Sequence, residues 1–476
     1  MIELKCIGHD TDYELTNLIH LFEPYIDKDY KVESIYEADQ AWAKLIENEE
    51  IILEKCYAVK QVEDEHIQKR EIKMGLKAAL YKTFVELTGK EMPWGVLTGI
   101  RPTKIVHDYR KQGLTETAIR EKLENTYYIS KPKVELMMNV ATKEEEILSK
   151  NKEDEVSLYI GIPFCPTRCV YCSFTAYSLE RKGNQVEAYL DALCKEISFV
   201  AEAKRHTPIR SLYIGGGTPT SINEEQLYRL LDHIKNSFNL DQIEEYTLEA
   251  GRPDTITAKK LEIMKEMGVG RISINPQTMN QEALDVIGRK HTVEDIKEIF
   301  HIARELGHDN INMDIILGLP GEKPEDVAHT LKELQKLNPD NITVHTMAIK
   351  KASKLKETKD EYDLAGVKNI EDMLTLCEEA MKEMGLEAYY MYRQKNMLGN
   401  FENVGYARPG TECVYNIEIM EEKESIIAMG AGAITKMVYQ NGERIDRVPN
   451  VKSLEDYISR IDEMIERKRE GFEKYR

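Results

Sequence analysis

The chain has 476 residues, too many for one ordinary hydrophobic core, so its length predicts two or three domains. Hydrophobic residues make up 42% and charged residues 31%, as in globular proteins, and 84 acidic against 65 basic residues leave a formal net charge of -19. This acidic balance argues against a nucleic-acid partner. The sequence has no apolar run near the ~18 residues of a spanning helix and no secretory hydrophobic segment, which favours a cytoplasmic protein without a membrane partner.

Residues 1–150 contain short β-like segments followed by helical ones. Apolar residues recur at helical spacing in "EHIQKREIKMGLKAALYKTFVELTG", and Gly89 is placed to end that helix. The charged stretch Asn151–Glu155 is typical of a link between domains. We therefore predict an N-terminal α+β accessory domain over residues 1–150.

From Val156 onward, six β-like segments alternate with helical stretches, which include Val293–Leu306 and Pro324–Leu337. The strand candidates are "SLYIGIPF", "RSLYIGGGT", "EEYTLEAG", "RISINPQT", "NINMDIILGLP" and "NITVHTMAI". This alternation predicts a parallel sheet with right-handed crossovers. Six units are too few for a closed eight-fold barrel. The prediction is thus an α/β fold with an open, partial (β/α)6 barrel over residues 156–386, and a doubly wound sheet is the alternative.

Residues 387–476 break this alternation. The segments "GLEAYYMYRQKNM", "VYNIEIME" and "SIIAMGAGAITKMVY" favour antiparallel strands, and residues 452–469 favour a terminal helix. We predict a small C-terminal α+β cap that covers the open side of the barrel.

Three cysteines stand close together directly after the first barrel strand, in "YIGIPFCPTRCVYCSF". They are Cys165, Cys169 and Cys172, whereas the other five cysteines are scattered, which does not fit a disulfide framework. A zinc knuckle would take a fourth Cys or His at finger-like spacing, and no His lies between residues 108 and 205. Three thiolates can instead hold a [4Fe–4S] cluster and leave one iron open to a substrate or cofactor. Zinc and simple burial of the thiols are the alternatives.

Other unusual residues follow the later strands. They are the turn "GGGTPT" at 215–220, Glu249, Gln277, Asp314 and the segment "GLPGE" at 318–322. Taken singly, each has a structural explanation, such as a tight turn or a helix cap. Because the loops after the carboxyl ends of barrel strands build active sites, their shared placement predicts one site at that end of the barrel.

This set of motifs resembles the radical S-adenosylmethionine (SAM) enzymes, in which CxxxCxxC binds the cluster and SAM chelates the open iron. Within that superfamily, "GGGTPT", "INPQT" and "MDIILGLPGE" look like the oxygen-independent coproporphyrinogen III oxidase family, from about Leu158 to Lys350. The segments "PWGVLTGIRPTK" and "RQKNMLGNFENVGYARPG" look most like its HemZ branch. This sequence departs from the oxidases at Gly161, where they commonly have His.

The resemblance implies specific site residues. The cluster ligands would be Cys165, Cys169 and Cys172, and Tyr159 would lie beside the reacting groups. The SAM contacts would be Tyr159, Tyr171, Gly216, Gly217, Thr218, Glu249, Gln277, Arg289, Asp314 and Ala348. These residue types are suited to SAM binding, since a carboxylate pairs with an ammonium or with ribose hydroxyls and a guanidinium binds a carboxylate through two hydrogen bonds.

The resemblance also implies an activity in haem biosynthesis. A 5′-deoxyadenosyl radical would start the oxidative decarboxylation of coproporphyrinogen III propionates to vinyl groups, with a flavodoxin or ferredoxin as electron donor. Because this substrate carries four carboxylates, basic residues should line its entry. The candidates are Arg101, Lys104, Arg393 and Lys395.

Two other functions remain open at this stage. Some relatives are haem chaperones with a C-terminal motif of "HN" followed by "YW", but the comparable stretch here, Val414–Glu421, has neither His nor Trp. His345 is then the candidate axial ligand for haem. The third possibility is a radical SAM enzyme that modifies another tetrapyrrole.

Overall fold

The computed structural model describes residues 2–99, 101–152, 154–174, 176–348, 366–394, 397–439, 442 and 444–474. The chain forms two compact units. The first comprises residues 1–141, 393–395 and 399–401, and the second comprises 142–392, 396–398 and 402–476. The three sequence segments 1–150, 156–386 and 387–476 remain our proposed domains.

The first unit contains a four-stranded sheet in the order β1-β2-β3-β4. Its strands are β1 (Ile2–Ile7), β2 (Tyr30–Glu37), β3 (Gln40–Glu47) and β4 (Glu50–Ala58), with β1 parallel to β2 and the others antiparallel. The helices of residues 2–148 are α1 (Asp12–Phe22), α2 (Glu65–Thr88), α3 (Thr103–Lys111), α4 (Glu116–Asn125) and α5 (Lys131–Leu148), of which α5 continues into the second unit. The core of this unit includes Val32 and Leu45 of the sheet and Leu80 of α2.

Helix α2 shows how the sequence sets its ends. The Asp64 side chain accepts hydrogen bonds from the backbone N–H groups of His66 and Ile67 at the start. The helix ends where Gly89 adopts a left-handed conformation, with φ of 65°. The helix end predicted at Gly89 is therefore confirmed.

Six parallel strands form the centre of the sheet in the second unit. They are β5 (Val156–Ile162), β8 (Ile209–Gly216), β9 (Glu245–Gly251), β10 (Arg271–Ile274), β11 (Ile311–Leu317) and β12 (Asn341–Thr346). Between β5 and β8, the two-residue strands β6 (Phe164–Cys165) and β7 (Tyr177–Ser178) pair with each other. The predicted α/β fold with six parallel strands is confirmed.

Helices connect these strands, as a parallel sheet requires, and a last helix follows β12. They are α6 (Leu179–Lys182), α7 (Val186–Ala203), α8 (Glu224–Ser237), α9 (Ala258–Glu266), α10 (Gln281–Val286), α11 (Val293–Glu305), α12 (Pro324–Leu337) and α13 (Val367–Glu383). The helices α8 and α11 both begin with a capping box, at Asn223 and Thr292. The strands are buried on both faces, and all four residues of β10 are buried.

The C-terminal residues extend this sheet at both edges. Strands β13 (Glu387–Tyr392) and β14 (Asn403–Ala407) continue it beyond β12, and β15 (Ser425–Met429), β16 (Ile434–Tyr439) and β17 (Arg444–Pro449) continue it beyond β5. Strand β15 is parallel to β5, and the other pairings of these strands are antiparallel. The remaining helices are α14 (Val414–Glu421), α15 (Leu454–Ser459) and α16 (Ile461–Glu473).

Two predictions for this region are wrong in detail. The segment "VYNIEIME" forms the helix α14 rather than a strand. The carboxylate of Glu245 accepts the N–H groups of Val414 at 2.6 Å and Tyr415 at 3.4 Å, so a distant acid caps this helix and overrides the local β preference. The single terminal helix predicted for 452–469 is two helices, which meet at Arg460.

Among the described residues, no helix has both the length and the apolar character needed to cross a membrane.

Candidate functional site

The three clustered cysteines lie in the loop that follows β5. Cys165 ends β6, and the N–H of Cys172 donates to the carbonyl of Cys169 at 3.1 Å. Cys169 is buried and the other two are half-buried, and all three are free thiols. Burial raises the pKa of the Cys165 thiol to about 11 and also raises the pKa of Cys172. Such thiols ionise when a metal ion takes the proton's place, so the loop is chemically suited to metal ligation.

The glycine-rich turn after β8 packs directly on this loop. The N–H of Gly217 donates to the Ile162 carbonyl and that of Thr218 to the Phe164 carbonyl, each at 2.8 Å. A Cβ on Gly217 would lie 2.6 Å from the Phe164 carbonyl oxygen and 3.0 Å from Cys165 Sγ. Glycine is therefore required here by the close approach of the cysteine loop itself.

The backbone N–H groups of this turn make contacts within the chain. Those of Gly217 and Thr218 donate to the Ile162 and Phe164 carbonyls, and that of Gly216 donates to Glu249. The Thr218 hydroxyl likewise lies 3.5 Å from Cys165 Sγ. The role of these three residues in cofactor binding stays a proposal, in which their carbonyl oxygens would make the contacts.

Arg289 follows α10 and is buried beside the cysteine loop. Its Nη1 donates to the Asn275 carbonyl at 2.6 Å, and its Nη2 lies 3.4 Å from the Tyr171 hydroxyl. Its Nε is buried and has no hydrogen-bond partner among the described residues. A buried guanidinium with a remaining N–H is suited to an anionic group such as a carboxylate.

Gln277 adopts an uncommon backbone conformation just after β10. Its φ is +70°, which L-residues other than glycine seldom adopt. Two hydrogen bonds hold it, from its own N–H to the Asp314 carbonyl and from the Ile316 N–H to its carbonyl, both at 2.9 Å. A strained residue that its surroundings maintain in this way is typical of a functional site.

Two acidic residues of the barrel interior have pKa values shifted in opposite directions. Burial raises the pKa of Glu249 to about 7, although a 2.6 Å hydrogen bond from the Tyr213 hydroxyl opposes the shift. Burial also acts on Asp314, but its contacts with His345 and Asn312 outweigh that effect and lower its pKa. At neutral pH Asp314 is therefore an anion, while Glu249 can hold a proton.

Tyrosine rings line the same part of the barrel. Tyr159 stacks on Tyr213 and Tyr415, with ring centroids 6.3 and 6.0 Å apart, and the latter two are 4.4 Å from each other. Sequence reasoning identified Tyr159 but missed the other two. The pairing of Tyr159 with Tyr213 in neighbouring strands was the available signal, whereas nothing local points to Tyr415.

The structure thus places the predicted residues in two neighbouring parts of the second unit. The first part is the cysteine loop with the elements around it, which contains Cys165, Cys169, Cys172, Tyr171, Gly216, Gly217, Thr218 and Arg289. The second part is the strands and strand ends beside this loop, which contain Tyr159, Glu249, Gln277 and Asp314. Ala348 follows β12 and forms an isolated bridge with Met397. Sequence reasoning missed Arg252, whose Nη1 lies 3.9 Å from Cys169 Sγ.

Arg393 was predicted to bind substrate carboxylates, and the structure contradicts this. Its side chain is 2% exposed, donates to the carbonyls of Leu97 at 2.5 Å and Asn400 at 2.6 Å, and lies over the Trp94 ring at 5.0 Å. It therefore holds together segments of the first unit. Arg101 is half-buried and Lys104 is exposed, and both remain predicted substrate contacts; Lys395 lies outside the described residues.

Replacing Arg393 should accordingly affect stability. We expect Arg393→Met to lower the free energy of unfolding by about 2–4 kcal/mol, because buried carbonyls lose their charged donor. Lys104→Met, at an exposed position of the same unit, is the control and should change it by less than ~0.5 kcal/mol. Urea unfolding measures both, and equal effects of the two variants would contradict the structural role.

A further prediction concerns Glu322 in the segment after β11. It is buried, accepts a hydrogen bond from the Thr278 hydroxyl at 2.5 Å, and burial raises its pKa to about 7. Because the folded state binds this proton more tightly than the unfolded chain, stability should be lost as the pH rises from about 4.5 through 7. We expect Glu322→Gln to remove a pH-dependent component on the order of 3 kcal/mol, measured by urea unfolding at pH 5 and pH 8. An unchanged difference between the two pH values would exclude this carboxyl as its source.

The residues present fit an iron–sulfur cluster together with a cofactor that carries a carboxylate group. Three soft sulfur donors lie in one loop, the Gly217 turn leaves no room for a side chain against Cys165, and Arg289 brings a buried N–H without a described partner. The fold and this cysteine motif define a radical SAM protein.

Comparison with known proteins supports this assignment. The radical SAM superfamily model matches residues 159–334. The oxygen-independent coproporphyrinogen-III oxidase-like protein HemZ of Bacillus subtilis is 42% identical over 386 residues, which cover 80% of this chain and 77% of that protein. The haem chaperone HemW of the same organism is 31% identical over 64% of this chain and 76% of its own. The coproporphyrinogen III oxidase HemN of Escherichia coli, a solved structure, matches with a TM-score of 0.53 and 27% identity, over 68% of this chain and 73% of its own.

The chain therefore belongs to the HemZ family of oxygen-independent coproporphyrinogen III oxidase-like proteins, within the radical SAM superfamily. The predicted family is confirmed. The cofactors of this superfamily are a [4Fe–4S] cluster and SAM, as the sequence indicated.

Proposed function

We propose that this chain is a radical SAM enzyme of porphyrin biosynthesis that converts coproporphyrinogen III propionates to vinyl groups. The observation that carries the proposal is the contact between the cysteine loop, the Gly217 turn and the barrel strand of Glu249. This arrangement would put a cluster next to polar groups able to hold SAM. The HemZ and HemN relatives support the choice of substrate.

Cys165, Cys169 and Cys172 would hold the cluster. When bound, the cluster and SAM supply a carbon-centred radical that can take a hydrogen atom from an unactivated C–H bond. The protein's own contribution is to bind, to orient and to keep water out.

Each remaining residue has a task that its environment suits. The carbonyls of Gly216 and Gly217 would accept from the SAM ammonium group, and the Nε of Arg289 would donate to the SAM carboxylate. Asp314, which stays ionised, would accept from ribose hydroxyls. Ala348 would lie against the adenine. Tyr171, within the cysteine loop, would line SAM, with its hydroxyl facing Arg289.

The tyrosine stack would form one wall of the reaction space. Tyr159, Tyr213 and Tyr415 present packed aromatic surface next to Glu249, and such a wall keeps water from a reactive group. Glu249, whose pKa burial raises to about 7, can accept or release a proton there near neutral pH.

A low-potential flavodoxin or ferredoxin would deliver electrons to the cluster. We place the protein in the cytoplasm.

The test is an anaerobic incubation of reconstituted protein with SAM, dithionite and coproporphyrinogen III. We expect protoporphyrinogen IX, which is detected as protoporphyrin after oxidation and chromatography. Formation of 5′-deoxyadenosine with unchanged porphyrin would contradict the substrate and favour another tetrapyrrole. A boiled sample and a sample without SAM are the controls.

The second candidate is a haem chaperone, which the similarity to HemW favours. Here the comparable C-terminal stretch is the buried helix α14. His345 has the Tyr392 hydroxyl 3.4 Å from its Nδ1 and an Asp314 oxygen 3.8 Å from its Nε2, so haem ligation would disturb both contacts. Stoichiometric haem binding that is lost in His345→Ala, without turnover of coproporphyrinogen, would establish the chaperone instead.

A further inference from the structure

The guanidinium of Arg252 lies between the cysteine loop and an acidic residue. The side chain is 3% exposed and follows β9. Its Nη1 donates to the Thr167 carbonyl at 3.1 Å and to the Thr167 hydroxyl at 2.9 Å, and it lies 3.9 Å from Cys169 Sγ. Its Nε and Nη2 donate to the two oxygens of Asp254, at 3.0 and 2.9 Å. One buried cation therefore contacts a cysteine sulfur and its loop on one side and a carboxylate on the other.

A buried histidine borders this pair. On the far side of Asp254, Nδ1 of the buried His291 lies 3.7 Å from an Asp254 oxygen. Burial lowers the pKa of His291, while His291 and Arg252 outweigh burial and hold the pKa of Asp254 low. Arg168 and Arg289 are further cations that act on the loop, and Arg289 interacts with Cys169 as well. The pair of Arg252 and Asp254 is thus an oriented dipole with its positive end at Cys169.

We propose that Arg252 is a positioning residue that sets how readily the cluster on the three cysteines accepts an electron, and that Asp254 limits this effect. A cluster held by thiolates gains one negative charge on reduction, so a nearby cation favours the reduced state and a nearby anion opposes it. In a buried site these charges are poorly screened. The inference rests on the proposed placement of the cluster, and it is independent of which substrate the enzyme uses.

Removing the two partners should therefore move the reduction potential in opposite directions. Arg252→Gln deletes the cation and leaves Asp254 uncompensated, which disfavours reduction. Asp254→Asn deletes the anion and leaves Arg252 uncompensated, which favours it. If Arg252 and Asp254 only stabilised the loop, the two changes would not shift the reduction potential in opposite directions, since either change would loosen the same loop.

The experiment is a redox titration of the anaerobically reconstituted protein, followed by EPR of the reduced cluster. Dithionite with mediators supplies the single electron that each cluster accepts, and no tetrapyrrole is added. For Arg252→Gln we expect the ratio of reduced to oxidised cluster at a fixed potential to fall about tenfold, a midpoint shift of ~59 mV for one electron. For Asp254→Asn we expect the ratio to rise, and for Arg252→Lys, which keeps the charge, we expect a smaller change than for Arg252→Gln.

Iron and sulfide analysis keeps the outcomes distinct. If Arg252→Gln does not load a cluster, the inference is tested by comparing Asp254→Asn with wild type. A reduction potential of Asp254→Asn that is equal to or lower than that of wild type overturns the inference. Shifts of Arg252→Gln and Asp254→Asn in the same direction overturn it as well. A wild-type protein that binds no iron overturns this inference together with the proposed function, whereas loaded variants with unshifted potentials overturn only the inference.

Discussion

Cys169→Ala is expected to abolish cluster binding and, with it, every SAM-dependent reaction of the protein. Cys169 is the buried member of the three cysteines, and the Arg252 guanidinium lies against its sulfur. A cluster that loses one of three protein thiolates keeps only two anchors. The reconstituted variant should therefore lack the brown charge-transfer absorption and the EPR signal, and cleavage of SAM should fall to background.

The matched control for this variant is Cys194→Ala. Cys194 is a half-buried thiol in α7, and its removal leaves the cysteine loop unchanged. We expect this control to keep wild-type iron content and activity. Full cluster content in Cys169→Ala would show that the cluster is held elsewhere, and equal loss in both variants would show that the effect is not specific to the cysteine loop.

Arg210→Met is expected to produce the largest loss of stability, about 3–5 kcal/mol. Arg210 lies at the start of β8 and is 1% exposed. It donates to Glu244 at 2.8 Å, to Glu418 of α14 at 2.6 Å and to the Ile147 carbonyl at the end of α5 at 2.9 Å. Removing it leaves a buried carboxylate and a buried carbonyl without their charged donor, and it disconnects three elements of one unit.

The control for Arg210 is Glu244→Gln. Glu244 has a 39% exposed side chain, so water can replace much of its ion pair and the expected change is at most ~1 kcal/mol. Urea unfolding of the whole chain compares the two variants. A loss below ~1 kcal/mol in Arg210→Met would mean that the hydrogen bonds of this guanidinium do not hold the three elements together.

Sequence patterns predicted correctly those helices and strands whose formation depends on residues that are close together in the sequence. The helix predicted over Val293–Leu306 is found at Val293–Glu305, and the helix predicted over Pro324–Leu337 is found with the same bounds. In both, apolar residues at helical spacing and acidic residues in the first turn indicate the structure without reference to the rest of the chain. The alternation of such helices with β-rich runs was sufficient to predict the six parallel strands.

Features set by distant residues could not be predicted in this way. The helix α14 forms where Glu245, far away in sequence, caps its first turn. The positive charge of Arg393 suggested a substrate contact, yet the side chain is buried against Trp94, and this burial depends on how the first unit packs. Arg252 follows an ordinary strand end, and only the folded chain shows that it meets Cys169. The resemblance to a family implied the cysteines and the SAM contacts, and the structure adds a neighbour, Arg252, that contacts one of the cysteines.

The most direct test of the account is EPR spectroscopy of the reduced, reconstituted protein with and without SAM. The three cysteines would leave one iron of the cluster open, so SAM is expected to change the g-values of the signal by binding to that iron. A reduced cluster whose spectrum is identical with and without saturating SAM would contradict the account.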